Sequence, residues 1–322
     1  AVALFALTLR TDLLAAGPWP IYGLIFVSGM GRAFVRPAVS ALGAEVVTRE
    51  LYPNAVAWRS STWHLAAIAG PAAGGMLYGF SGPVLAYGVV VGLMVIALVA
   101  FSLVRHRARP FAPEEEPVLD SIKAGVRFVI REPVLLAAMT LDLFSVLFGG
   151  ATALLPVFAK MLQVGPQGLG LLRAAPAIGS IAVGLFLAHR PPLRRTGVTL
   201  LVSVALFGIS IILFALSRDF YLSFFLLLAS GMADGVSVVI RALLLQTRAP
   251  DNMLGRVNSV NSIFISASNE IGAFESGVAA RLLGVVPAVL FGGFMTLMVV
   301  VLMAWKSPQL RRLTGAGGGG TG

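Results

Sequence analysis

Runs of about twenty mostly apolar residues recur from one end of this chain to the other, each long enough to cross a ~30 Å hydrocarbon core as a helix. Only short polar breaks separate them. Backbone inside lipid must satisfy its own hydrogen bonds, which leaves helices or a closed barrel, and runs of this length and continuity specify helices. Ten spans follow from hydropathy and turn residues, near 1–12, 21–44, 55–79, 84–104, 133–157, 167–188, 196–216, 221–246, 256–283 and 286–305. The 322 residues are 57% hydrophobic and 12% charged, half the charge of an ordinary soluble domain at about 25%. Mean hydropathy is +0.90. The expected fold class is therefore all-α and polytopic, with the lipid bilayer as solvent.

Several functions are excluded early. The formal charge of +10 is spread through loops and forms no basic, aromatic-interleaved stripe, so nucleic acid is not an expected partner. The absence of cysteine removes thiol chemistry and disulfides, and His64, His106 and His189 are too far apart in sequence to make a ligand set. Neither metal nor cofactor is expected.

Residues 105–132 form the longest polar stretch and divide the spans four and six. In it Asp120, Lys123, Arg127 and Arg131 fall on one helical face and Leu119, Ile122, Val126 and Val129 on the other, which reads equally as an interfacial amphipathic helix or as a solvated linker helix. Arginine and lysine concentrate in alternate connections and in the tail, whereas the intervening connections hold only Arg10, Lys160 and Arg218. The positive-inside rule then places the linker and the C-terminus in the cytoplasm. The expected organisation is a first bundle over 1–104, a cytoplasmic linker over 105–132, a second bundle over 133–307 and a flexible tail over 308–322.

An internal repeat supports two bundles. An offset of 202 residues, from Ser28 to Ser230, pairs two "SGM" tripeptides and also Gly70 with Gly272, Gly75 with Gly277, Gly82 with Gly284 and Arg32 with Asp234. Span boundaries coincide at the same offset. Residue 1 then corresponds to the third helix of the second half, so roughly seventy residues and two helices are expected upstream, and the spans are helices 3 to 12 of twelve.

Under that numbering helices 3, 6, 9 and 12 have uncharged interiors, whereas the others carry ionisable groups whose burial in lipid is costly. Arg32, Arg36, Asp142, Asp234, Arg241 and Glu270 are the candidate residues for cargo binding or proton coupling. Ser28, Arg32, Arg36 and Ser40 make one polar stripe, and Ser259, Ser262, Ser266 and Glu270 another. Internal salt bridges are the alternative role for each. Gly70, Pro71, Gly74 and Gly75, with Gly272 and Gly277, read as close helix-packing positions, since small residues supply contact where lipid gives no hydrophobic drive.

The stretch "AIAGPAAGG" (67–75) matches the fifth-helix motif of the major facilitator superfamily, with Ala66 in place of its first glycine. "SGMGRA" (28–33) matches the end of the fourth-helix motif, with Ile25 where the family has arginine. Residues 256–293 resemble the branch that includes the bacterial enterobactin exporter. The resemblance implies two bundles working by alternating access, about ten of twelve helices in this chain, and a proton-coupled exporter in the bacterial inner membrane. Siderophore-like and drug-like cargoes fit, and the arginines Arg32, Arg36, Arg241 and Arg173 favour an anionic one. An importer of the same fold is the alternative. A membrane-embedded enzyme or a non-transporting scaffold is disfavoured, since no nucleophile, base or metal constellation is visible. A monomer is expected.

Overall fold

The computed structural model describes residues 2–9, 19–47, 51–104, 118–149, 151–190, 195–250 and 253–314. These residues are helical apart from short connections. The chain divides into two compact units, Ala1–Pro113 and Glu114–Gly322.

The first unit contains α1 (Val2–Leu9), α2 (Trp19–Val46) and α3 (Tyr52–Ser102). The spans expected at 55–79 and 84–104 run together as α3, which is bent at Gly82, the one residue inside it with non-helical dihedrals (φ 76°, ψ 178°). Pro71, embedded in the same helix, does not break it. Leu93, Met94, Ile96 and Leu98 lie exposed in succession on α3, an apolar surface that water would not tolerate but that lipid or a second bundle would cover.

The second unit runs α4 (Val118–Arg131), α5 (Pro133–Phe148), a 3-10 turn (Ala151–Leu154), α6 (Leu155–Met161), α7 (Gly165–Ala188), α8 (Thr196–Leu216), α9 (Phe220–Arg248), α10 (Leu254–Leu283), α11 (Val285–Lys306) and α12 (Pro308–Arg311). Prolines Pro133 and Pro308 open α5 and α12, where the missing N–H costs nothing. The Asp219 carboxylate caps α9 by accepting from Leu222 N at 2.8 Å. The expected span 133–157 is interrupted after Phe148, so it consists of two helices and a tight turn.

Glycine sets how closely these helices pack. A Cβ at Gly231 of α9 would overlap the backbone of Pro176 on α7, and one at Gly179 of α7 would overlap the Leu228 carbonyl of α9. At Gly272 a Cβ would lie 2.8 Å from the Leu147 carbonyl oxygen, which brings α10 onto α5. Backbone approach of this kind is how helices associate in lipid. Gly284, between α10 and α11, has φ 92° and ψ 160°. It therefore matches Gly82, its partner under the 202-residue offset, in a backbone region that L-residues avoid.

Two apolar clusters fill the unit. One gathers Val129, Leu141, Val204, Ile240, Leu244, Val257 and Leu310; the other gathers Ala151, Phe158, Leu172, Ile211, Phe214 and Leu227. Described helix ends that carry Arg195, Arg248 and Arg311 meet at the first cluster's end. There α12 packs on α8 and α5, Gly197 N donates to the Leu313 carbonyl at 3.3 Å, and Arg248 pairs with Glu132 at 3.3 Å. The amphipathic helix α4 also docks here: Val129 is buried, Val126 packs beside it, and a Cβ on Gly125 would meet the Arg256 carbonyl at 2.9 Å. Its apolar face is thus turned onto α10, and Lys123, Arg127 and Arg131 remain exposed.

Candidate functional site

Between the two clusters lies a polar layer. Along α9, Ser230, Asp234 and Ser237 fall after Leu227 of one cluster and before Ile240 of the other, and along α8 Phe207 falls between Val204 and Ile211. Ser230, Asp234, Ser237 and Arg241 follow spacings of four, three and four, which keeps them on one helical face. On α5, Asp142 and Ser145 supply a facing polar edge.

A cavity of about 300 Å³ opens in this layer. Its polar wall is Asp234, Ser230, Ser180, Thr152 and Asn269; its apolar wall includes Phe207 and Ile211. The break after Phe148 belongs to the same wall, through Gly149, Ala151 and Thr152. Interrupted helix is tolerated at membrane depth where it lines a cavity. A second, much smaller cavity of about 10 Å³ touches the other side of Asp234 and is lined by Ser145, Val146, Val204, Phe207 and Ser237.

Deeper toward the linker end, the Arg241 guanidinium forms an ion pair with the Asp142 carboxylate. Both residues are 7% exposed. The pairing joins α5 to α9 and commits both charges to each other. Asp234 has no such partner: among the described residues no cation pairs with it.

The remaining candidates are dispersed. Arg32 is exposed on α2 in the first unit, and the Arg36 side chain lies outside the described residues. Glu270 and Arg173 are exposed and belong to neither cavity wall. Gly272 makes the close contact already noted, whereas a Cβ on Gly70, Gly74 or Gly277 meets no heavy atom within 4 Å. Among the described residues no group of three His, Cys, Asp or Glu is placed to hold a metal. Sequence reading did not single out Ser145, Ser237, Phe207 or Asn269. The four-three-four spacing on α9 was the available signal for Ser237.

Comparison with known proteins supplies the family. Residues 1–273 match the Major Facilitator Superfamily. The chain belongs to that superfamily. As a member it is a membrane transporter and not an enzyme, and the polytopic all-α fold agrees. It is 29% identical over 291 residues to the enterobactin exporter EntS of Shigella flexneri, covering 89% of this chain and 67% of that protein. It is 28% identical over 303 residues to the enterobactin exporter EntS of Escherichia coli O81 (strain ED1a), covering 92% of this chain and 72% of that one. For this superfamily member the cargo is a small molecule.

Proposed function

We propose that this transporter is a proton-coupled exporter of a siderophore-like small molecule, seated in the bacterial inner membrane with its C-terminus in the cytoplasm. Two named relatives are enterobactin exporters, which supports the direction and the cargo class. The observation that carries the coupling is Asp234, a carboxylate on the wall of a cavity of about 300 Å³ with no cation paired to it among the described residues. Asp142 is already committed to Arg241, and Glu270 and Glu275 lie on neither cavity wall, so among the described residues of this unit Asp234 is the acid on a cavity wall that a proton or a cargo group is free to reach. Arg32 and Arg36 on α2 are the candidates for an acidic group on the cargo, now without Arg241, whose charge is spoken for.

Enterobactin uptake into inverted membrane vesicles holding the full-length protein, driven by an imposed proton gradient, tests this reading. In Asp234→Asn the gradient-driven uptake is expected to vanish while enterobactin binding and thermal stability persist. Undiminished gradient-driven uptake in that variant would remove Asp234 as the coupling acid. Uptake in the opposite sense would make the protein an importer.

A further inference from the structure

We propose that the cavity of about 10 Å³ beside Asp234 is a site for one ordered water, held by Ser145, Ser237 and Asp234, that solvates the Asp234 carboxylate whenever it has given up its proton. The inference rests on Asp234 being the coupling acid.

Three observations lead to it. A water needs roughly 10–15 Å³ of such space and two to four polar partners; this cavity has the volume for one and three partners on its wall. Ser237 is 3% exposed, and among the described residues its hydroxyl has no protein partner. Its place on the wall of this cavity, beside Ser145 and Asp234, favours a polar occupant. Ser145 donates its own proton to the Leu141 carbonyl, which leaves its lone pairs to accept from a water. With the water donating one proton to Ser145 Oγ and accepting from the Ser237 hydroxyl, its second proton is available to the carboxylate.

No other charge does this work. Among the described residues α8 carries none between Thr196 and Leu216. From α5 comes Asp142, paired with Arg241 of α9. On α7 Arg173 is exposed, and on α10 Asn269 reaches the larger cavity while Glu270 is exposed and Glu275 half-buried, neither on a cavity wall. An ionised carboxylate in this layer is therefore stabilised by hydrogen-bond donors. When a proton arrives, the carboxyl becomes neutral and the water stays; when it leaves, the water, held by Ser145 and Ser237, turns its second proton to the carboxylate. One proton is taken and one released per cycle.

The test uses the full-length protein in lipid. Infrared difference spectra between acid and alkaline pH are expected to contain an O–H stretching band that shifts when H2(16)O is replaced by H2(18)O and that changes in Asp234→Asn. In Ser145→Ala/Ser237→Ala the band is expected to disappear, and kcat for gradient-driven enterobactin transport to fall roughly tenfold or more with KM unchanged. Gradient-free enterobactin exchange, which needs no proton release, is expected to keep its rate. Absence of the oxygen-18-sensitive band in the unmodified protein, or a double variant with unchanged kcat, overturns the proposal. If Asp234→Asn alone retains gradient-driven uptake, the coupling assignment falls, and the isotope-sensitive band still decides whether the water is there.

Discussion

At the scale of single residues, the Asp142–Arg241 pair fixes what the other charges are free to do. Both partners are buried, so removing one strands the other in a poorly solvated layer, at about 3–5 kcal/mol, whereas replacing both by apolar groups of similar volume is often neutral or better. Asp142→Asn and Arg241→Met are each expected to lower the thermal midpoint of the full-length protein sharply, and Asp142→Leu/Arg241→Met to recover most of the loss. Additive losses in that double-mutant cycle would mean the two residues act separately. The sequence presented Asp142 and Arg241 as separate candidates on separate helices, because nothing local states which helices will face each other. It showed Asp234 at mid-span, and the structure supplies what surrounds it. Ser145 was illegible for a different reason: serine is common on membrane helices, and only the cavity distinguishes it, whereas Ser237 shared a helical face with Asp234 and Arg241.

At the scale of elements, the helices were legible because lipid enforces length and apolarity. The span read as 196–216 is α8, Thr196–Leu216, and 256–283 lies within α10, Leu254–Leu283. What hydropathy could not show was continuity. The 133–157 run is apolar on both sides of the glycine pair at 149–150, so hydropathy carried straight across the break. Which glycines pack closely was equally hidden, since Gly231 and Gly277 look alike in sequence. The structure separates them: Gly231→Ala would drive a methyl into the backbone of Pro176 and is expected to cost about 1–3 kcal/mol by overpacking. Gly277→Ala meets open space and is expected to be neutral or to gain up to about 1 kcal/mol of helix propensity. Thermal unfolding of the two variants side by side checks this. Equal midpoints would show that α7 and α9 do not approach through Gly231. At the inter-helix bends, Gly82→Ala and Gly284→Ala are each expected to cost about 1–2 kcal/mol, since alanine has to adopt positive φ.

At the scale of the whole molecule, the charge pattern of the loops and the packing of the second unit describe the same polarity. Helix α4, the junctions between α7 and α8 and between α9 and α10, and α12 gather at one end of that unit, tied by Arg248–Glu132 and by the seat of α12 on α8 and α5. Lys123 and Arg312 are exposed there. Arg218 is exposed between α8 and α9, at the other end. A helix hairpin of that length carries its ends about 30 Å apart, enough to put them on opposite sides of a bilayer. The orientation proposed above, which the positive-inside rule favours, turns the basic end toward the cytoplasm. These 322 residues contain no cysteine, so single cysteines placed among them report position once any cysteine elsewhere in the full-length protein has been replaced. Arg218→Cys is expected to react with a membrane-impermeant maleimide on intact cells, whereas Lys123→Cys and Arg312→Cys react only once the membrane is opened. The reverse pattern would invert the orientation, and with it the sense of the proposed export. Lys123→Cys and Arg312→Cys reacting from different sides would break the topology itself, because the same bundle end cannot face both compartments.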